Sequence, residues 1–296
     1  MTSVSRQDAL IRAMPAVFVL IWSTGFIVAR YGMPHAPPMK FLAMRYVLSV
    51  ICFAVWAFAA RAVWPSDRRQ LRHLAVTGVL MHAGYLGGVW AAVKLGMGAG
   101  LAALLVGLQP VLTAVWISSR GGAVSRRQWA GLILGFGGLA LVVWHKLGVG
   151  EIHPVNFLLA LGALLSITVG TLYQKRFVAP CDVRTANLVQ LCAAFVVTLP
   201  LALLESEAMN WNGHLIGAMA WSVLALTLGG SSLLYLLIQR GAATAVTSLL
   251  YLVPPCTAVM AWLLFAEPIA VSTAVGMGLA AVGVSLVVRP AGRAGA

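Results

Sequence analysis

The sequence predicts an all-α membrane protein of ten transmembrane helices, arranged as two inverted five-helix repeats with both termini in the cytoplasm. Three observations predict this fold: regularly spaced apolar stretches, a one-sided distribution of basic residues, and a match between the two halves. Of the 296 residues, 61% are hydrophobic and only 20 are basic and 7 acidic. The mean hydropathy is +0.93. A soluble domain of this size does not contain so much uninterrupted apolar sequence.

The apolar stretches are each about 20 residues long, enough for a helix to cross a hydrocarbon core about 30 Å thick. The first is longer than a signal-peptide core and has no small-x-small cleavage site, so we expect it to be retained. The connecting segments are too short for a soluble domain. The predicted spans are 13–31, 39–60, 71–93, 99–117, 127–144, 155–174, 185–204, 215–238, 243–265 and 271–288.

The basic residues set the predicted orientation. Net charge +13 would suggest nucleic acid in a soluble chain, but no basic run is interleaved with aromatic residues, so no nucleic-acid partner is expected. With the N-terminus inside, cytoplasmic segments hold fifteen Lys and Arg residues and the opposite side holds four. Segments 61–72 and 120–127 are then cytoplasmic, as the positive-inside rule requires. The predicted location is the bacterial inner membrane, crossed several times.

The four cysteines, Cys52, Cys181, Cys192 and Cys256, do not form a CxxC pair. The sequence therefore predicts neither a metal site nor a disulfide framework. We expect no cofactor and no obligate protein partner, only a small-molecule substrate and the membrane lipids. A membrane-embedded enzyme is disfavoured because paired intramembrane carboxylates, a His/Glu metal cluster and a Gly-x-Ser-x-Gly motif are all missing from the sequence.

Sliding the chain along itself by 145 residues aligns its halves without a gap. Several matches involve Gly or Pro, which control helix bending and close approach. Each half holds five spans, and an odd number inserts the second copy upside down relative to the first. The predicted repeat units are 13–144 and 155–289. The matched pairs include Gly25 with Gly170, Gly96 with Gly241, Pro110 with Pro255, Gly131 with Gly276, and Gly138 with Gly283.

Five short motifs resemble the EamA-like branch of the drug/metabolite transporter superfamily, and the resemblance covers nearly the whole chain. The motifs are Trp-Ser-Thr-Gly-Phe at 22–26, Met-Arg-Tyr at 44–46, the run 100–110 ending Gly-Leu-Gln-Pro, Ser-Arg-Arg-Gln-Trp-Ala-Gly at 125–131, and Ala-Glu-Pro at 266–268. One position departs from the pattern. Gly122 stands at the first-half position matching Glu267, where the family often has Glu, so a role for a symmetric carboxylate pair is in doubt.

The resemblance implies a basket-like ten-helix fold that moves small organic solutes, often amino acids or other metabolites, usually outward. Exporters of aromatic amino acids, of threonine and homoserine, and of cysteine-pathway compounds are among such proteins. We therefore expect a secondary transporter for an amino acid, an aromatic one included, or a related compound, working outward across the inner membrane by alternating access. The alternatives are a lipid-carrier flippase and, with less support, a membrane-embedded enzyme.

Two intramembrane side chains are the main candidates for substrate contact, because polar groups are costly in the bilayer. Arg45, about two turns inside the second span, has a guanidinium that can bind a carboxylate in a bidentate fork. Alternatively it snorkels to the outer interface or ties its helix to a carbonyl. His82, near the middle of the third span, either binds solute or a proton, or is a neutral histidine bonded to another helix. No Asp or Glu lies deep in a span, which favours facilitated diffusion or exchange over carboxylate-driven proton antiport.

The remaining candidates are aromatic residues, polar residues and prolines within the spans. Aromatic rings can stack on a solute, although Trp90 and Tyr173 are expected in interfacial belts. The predicted hinge residues are Pro110, Pro254 and Pro255, because proline removes a backbone donor and kinks a helix. The predicted substrate-binding residues are Trp22, Ser23, Arg45, His82, Tyr85, Gln109, Tyr235, Thr244, Ser248 and Tyr251.

Overall fold

A computed structural model describes residues 6–121, 125–148, 150–233 and 252–288, and every regular element in those ranges is helical. Seven of the helices are long and apolar enough to cross a membrane. Three shorter apolar helices, Ala16–Gly32, Val253–Phe265 and Val271–Leu286, lie at the remaining predicted spans. The all-helical prediction is confirmed for this part of the chain.

The helices follow the predicted spans closely, and two of the spans contain a stretch of π-helix. In chain order the elements are α1 (Arg6–Gly32), α2 (Pro38–Ala59), α3 (Arg68–Gly78), π1 (Val79–Gly84), α4 (Tyr85–Lys94), α5 (Ala99–Val106), α6 (Gln109–Ser119), α7 (Arg126–Gly148), α8 (Pro154–Phe177), α9 (Val183–Leu204), α10 (Gly213–Trp221), π2 (Ser222–Ser231), α11 (Val253–Phe265) and α12 (Val271–Val288).

The fourth predicted span is interrupted rather than continuous. A turn at residues 107 and 108 separates α5 from α6, directly before Pro110. The proline has no N–H to continue the helical bonding pattern of α5, so the new helix begins around it. In the second half, Pro254 and Pro255 likewise occupy the first turn of α11. The predicted hinge prolines thus stand where helices begin. Whether they act as hinges stays a prediction.

The local structure of the two halves repeats with the 145-residue shift. The shift carries α2 onto α9 at both ends and the start of α3 onto the start of α10. It also carries Asp67, the N-cap of α3, onto Asn212, the N-cap of α10. Gly121 and Ala266, which the shift also pairs, both have left-handed backbone with φ of 82° and 53°. Corresponding sequence therefore forms corresponding structure, including at caps and turns.

Contacts between the halves follow the same relation. Matched helices pack on each other, α2 on α9 and α7 on α12. In the second pair, a Cβ atom added at Gly138 would lie 2.4 Å from the carbonyl oxygen of Gly276, and one at Gly283 would lie 2.5 Å from that of Gly131. Under the 145-residue shift Gly138 corresponds to Gly283 and Gly131 to Gly276, so the two contacts are equivalent. Glycine is required at this crossing because two backbones touch.

Polar contacts tie the loops together at each end of the bundle. One end, here called the outer end after the predicted orientation, has the loops 33–37, 95–98, 150–153, 205–212 and 266–270. There, Glu205 accepts from the backbone N–H groups of Met39 and Lys40 at 3.0 and 2.8 Å. Lys94 pairs with Glu207 at 2.7 Å. At the opposite, cytoplasmic end, Gln70 donates to the carbonyl of Ala179.

Candidate functional site

A large cavity lies between the two halves, and its walls combine aromatic, aliphatic and polar side chains. Its empty volume is about 840 Å³ including its open mouth. The described residues that line it are Trp22, Gly25 and Phe26 on α1, Arg45 on α2, Met81 and His82 on π1, Tyr85, Leu86, Val89 and Trp90 on α4, Ile167 and Gln174 on α8, Asn187 and Gln190 on α9, and Leu226 and Ser231 on π2.

Arg45 is the cationic residue among the described cavity walls, and it is buried, with 5% of its surface exposed. Its Nε and Nη2 groups both donate to the hydroxyl oxygen of Thr227, at 3.1 and 3.0 Å. That hydroxyl donates in turn to the carbonyl of Ser222, five residues earlier in π2, at 2.8 Å. The Arg45 guanidinium carbon also lies 6.0 Å from the centre of the Trp90 ring. Arg45 therefore faces the protein interior and does not snorkel.

The other polar side chains of the cavity belong to two smaller groups. The Gln190 side chain is within hydrogen-bonding reach of His82, whose backbone carbonyl accepts from the hydroxyl of Tyr46 at 2.9 Å. The side chains of Trp22 and Tyr85 are similarly within hydrogen-bonding reach of each other. A π-helix widens the turn at π1, and His82 projects from it into the cavity. The cavity thus offers hydrogen-bonding groups beside aromatic faces.

The structure brings together four of the predicted substrate-binding residues, Trp22, Arg45, His82 and Tyr85. It places two others elsewhere. Ser23 is fully buried and donates to the carbonyl of Val19 in its own helix, and Gln109 donates to the hydroxyl of Thr171. Neither lines the cavity among the described residues. The predicted residues Tyr235, Thr244, Ser248 and Tyr251 lie outside the residues that the structure describes.

Sequence reasoning placed Trp90 in an interfacial belt, and this was wrong. Trp90 is 1% exposed and stacks on Phe41 with ring centres 4.5 Å apart. A tryptophan near the end of a span can lie either in an interfacial belt or in the buried wall of a cavity. Its position along the helix therefore did not distinguish the two. Thr227 and Asn187 were also missed. Thr227 could have been found from the repeat, because the 145-residue shift pairs it with His82, which the sequence analysis did select as a candidate.

A second polar group lies at the outer end, around the N-terminus of α5. Glu151 accepts from the backbone N–H of Gly98 at 2.8 Å and is paired with Lys146. Glu267 accepts from the backbone N–H of Ala99, and its Oε1 lies 3.4 Å from Nε of Arg30. Burial raises the pKa of Glu267, the Arg30 charge opposes that rise, and Glu151 adds to it. Glu151 in the segment joining the halves and Glu267 in the second half thus lie at the start of a helix of the first half.

Neither polar group is arranged to bind a metal. In the described part of the chain, no three His, Cys, Asp or Glu side chains lie close enough to hold an ion. No disulfide joins the cysteines of the described part of the chain. The cavity therefore offers hydrogen bonds, aromatic contact and one fixed positive charge, a set suited to binding a solute.

Comparison with known proteins identifies the family. Residues 13–144 and 156–289 each match the EamA-like transporter family. The chain belongs to the EamA-like transporter family. It is accordingly a multi-pass transporter of the inner membrane and not an enzyme. Both matches together span most of the sequence, in agreement with the resemblance carried by the five motifs.

Relatives and one solved structure are similar over most of their length. A Salmonella typhimurium protein named as a probable amino-acid metabolite efflux pump is 27% identical, with 78% of this chain and 73% of the relative covered. The uncharacterized transporter YvbV of Bacillus subtilis is 25% identical, with 92% and 89% covered. A solved crystal structure, 17% identical, has a TM-score of 0.67 and covers 93% of this chain and 95% of its own. At that identity the structure supports the fold alone.

Proposed function

We propose that this EamA-like transporter moves a small metabolite bearing a carboxylate, an amino acid or a related compound, outward across the inner membrane by alternating access. The observation that carries the proposal is the buried Arg45 guanidinium in a cavity between the halves. A guanidinium binds a carboxylate more specifically than other cations do, because its N–H groups form a planar fork. The similarity to a probable amino-acid metabolite efflux pump supports the same substrate class.

Alternating access is supported by the relation between the halves. The crossing of Gly138 with Gly276 has its counterpart in that of Gly283 with Gly131. A twofold axis lying in the membrane plane, relating two copies of five spans each, would map each of these two glycine contacts onto the other. When the copies exchange conformations, a cavity open to one side becomes open to the other. The ten-span count and the unit boundaries 13–144 and 155–289 remain part of this proposal.

The described conformation fits an inward-facing state. The cavity extends to Gln174 and Asn187, which lie about one turn from the cytoplasmic ends of α8 and α9. At the outer end, the Lys94–Glu207 pair and the contacts of Glu205 join the halves across the path. The predicted orientation, with both termini in the cytoplasm, then makes this the state that loads solute from inside.

Transport in proteoliposomes tests the proposal directly. The full chain is reconstituted, and uptake of radiolabelled amino acids and related carboxylates is measured beside Arg45→Lys and Arg45→Ala. Arg45→Lys should lower transport because it keeps the charge but loses the fork, and Arg45→Ala should lower it more. Normal transport by Arg45→Ala at equal protein content would contradict the assigned role. Lipid scrambling without solute uptake would instead favour a lipid-carrier flippase.

A further inference from the structure

The cavity contains a buried positive charge for which the chain supplies no negative partner. The acceptor for Arg45 within the described residues is the Thr227 hydroxyl, which is neutral. All seven carboxylates of the chain lie in loops or within the first turns of helices, and segment 234–251 has none in its sequence. An unpaired charge buried among helices is costly, so a site that keeps one has a purpose for it.

The hydrogen bonds of Arg45 leave one edge of its guanidinium for a ligand. Two of its five N–H donors, one on Nε and one on Nη2, point to Thr227. The two on Nη1 and the second on Nη2 have no protein acceptor among the described residues. One donor on Nη1 and the remaining donor on Nη2 are parallel at the end of the guanidinium and can donate to both oxygens of a carboxylate. Thr227 holds the fork in place, since its own hydrogen is given to Ser222.

Among the described residues, no side chain near this fork carries the negative charge that would balance a substrate ammonium. Negative charge is absent from the other polar side chains that line the described cavity, which are Trp22, His82, Tyr85, Gln174, Asn187, Gln190 and Ser231. Aromatic faces can hold cations, but the face of Trp90 already lies 6.0 Å from the Arg45 guanidinium. A zwitterion would therefore add its own positive charge to an uncompensated one, whereas a monoanion would neutralise the site.

Resting on the proposed function, we infer that the preferred solute is an organic monoanion: a carboxylic acid with an apolar or aromatic body whose amino group is absent or acylated. The body would lie against Phe26, Tyr85 and Trp22, and the carboxylate against Arg45. Zwitterionic amino acids of the same side chain are bound more weakly, and the corresponding amines most weakly. Charge balance within the cavity, rather than the shape of the side chain, sets this order.

Matched solutes that share a side chain test this order in the reconstituted full chain at pH 7. One set is 3-phenylpropionate, N-acetylphenylalanine, phenylalanine and phenethylamine. A second is 4-methylpentanoate, N-acetylleucine, leucine and isoamylamine. Binding is followed by tryptophan fluorescence, because Trp22 and Trp90 line the cavity, and transport by counterflow. The acids should bind at least about tenfold more tightly than the zwitterions, as expected where a close charge pair forms in a buried site.

Arg45→Gln should bring the ratio of acid to zwitterion affinity close to one, and Arg45→Lys should keep part of it. Equal or tighter binding of phenylalanine and leucine than of their acids would overturn the inference, as would failure of every acid to bind. The ratio of acid to zwitterion affinity in the wild-type protein is sufficient to decide whether monoanions are preferred, even if a variant fails to fold. Arg45-dependent transport of amino acids without a preference for acids would leave the proposed function intact. Absence of all solute transport by folded protein would contradict both.

Discussion

At the scale of single residues, the position of the Arg45 fork depends on one hydroxyl. The Thr227 oxygen accepts two hydrogen bonds from Arg45, and its hydrogen is held by Ser222 within π2. The widened turn of a π-helix brings the side chain into reach of the carbonyl five residues earlier. In the proposed binding mode, Thr227 is a positioning residue that acts on solute through Arg45.

Replacing Thr227 by Val should weaken solute binding about tenfold, because a buried charged donor that loses its acceptor costs about 1–3 kcal/mol. Thr227→Ser keeps the oxygen and should bind nearly as wild type. The matched control is Thr168→Val, since Thr168 is equally buried, bonds its own helix at Leu164 and does not line the cavity. Affinity from fluorescence titration checks all three. Equal losses in Thr168→Val and Thr227→Val would show a general packing effect.

Sequence reasoning identified Arg45, His82, Trp22 and Tyr85 as members of the candidate site and missed other neutral residues there. Arg45 and His82 stood out because polar groups are rare within apolar spans. Trp90 and Thr227 did not, since tryptophan near a span end and threonine within a span have common structural roles. Which face of a helix meets the other half is decided by packing between distant segments. A single sequence does not reveal which helices pack together, and so does not reveal which face of each helix is buried between the halves.

At the scale of helices, the crossing of α7 and α12 depends on direct backbone contact. A Cβ atom at Gly138 would meet the carbonyl oxygen of Gly276 at 2.4 Å, and a backbone atom cannot rotate away as a side chain can. Gly137, its neighbour in α7, has nothing within 4 Å of the corresponding position. Gly138 is therefore the test position and its neighbour Gly137 is the control in the same helix.

Gly138→Ala should therefore destabilise the protein by about 1–3 kcal/mol, the usual cost of overpacking. Gly137→Ala should be neutral or slightly stabilising, because Ala is the better helix former. Thermal unfolding in detergent, followed by loss of the monodisperse peak in size-exclusion chromatography, measures the difference. In the facing helix, Gly276→Ala and Gly278→Ala should behave in the same order, since a Cβ atom at Gly276 would lie 2.6 Å from the carbonyl oxygen of Gly138 and Gly278 has nothing within 4 Å. Equal midpoints within either pair would contradict the close crossing.

The loop after α11 makes the outer end sensitive to pH. Burial raises the pKa of Glu267, the Arg30 charge opposes this, and nearby Glu151 and Lys146 act in opposite directions. A group binds protons more tightly in the conformation that raises its pKa, so we expect protonation of Glu267 to favour the described conformation over one that exposes this carboxyl to water. As the pH falls toward the raised pKa, the population of that state should grow.

The measurement is the labelling rate of a cavity cysteine by an impermeant reagent added from outside, at a series of external pH values. Labelling should slow on acidification in the wild-type background. In the Glu267→Gln variant, whose amide mimics the neutral carboxyl, the cavity cysteine should be labelled slowly and with little dependence on pH. Faster labelling at low pH would mean that loss of the Arg30–Glu267 pair outweighs burial, contrary to this expectation.

The helix boundaries were largely predictable from the sequence, whereas their irregularities were not. Apolar length and charge placed the ends of α2 and α9 to within two residues, because the bilayer sets a span's length. Neither π1 nor π2 was predicted, since a π-helix adds one residue per turn without changing hydropathy. The break before Pro110 was predicted as a kink, and the turn at 107 and 108 is a fuller interruption.

At the scale of the whole molecule, the two ends are built from unlike residues although the halves are related. The repeat was readable in the sequence because glycine and proline positions are fixed by backbone contacts. The outer carboxylates Glu205, Glu207 and Glu267 correspond under the 145-residue shift to Ala60, Ala62 and Gly122. At these corresponding positions the cytoplasmic end therefore has no acidic side chain. This asymmetry should bias the resting transporter toward the outer-closed conformation.

Weakening the outer closure should consequently shift the molecule toward an outward-open state. Glu205 joins the halves by accepting from two backbone N–H groups at the start of α2, at Met39 and Lys40. Glu205→Gln keeps the size of the side chain but loses its charge and one acceptor oxygen, because an amide nitrogen cannot accept. The reporter is a single cysteine at Leu86, a cavity residue about two turns below the outer end of α4.

With the four native cysteines replaced, an impermeant thiol reagent added outside should label position 86 several times faster in Glu205→Gln than in the parent. Asp67→Asn is the control, since Asp67 caps α3 within its own half at the cytoplasmic end. It should leave the rate unchanged, and a cysteine at position 68 should not be labelled from outside. Efficient labelling at 68 would reverse the assigned orientation. An unchanged rate at 86 in a transport-competent Glu205→Gln protein would mean that this contact does not hold the outer end shut.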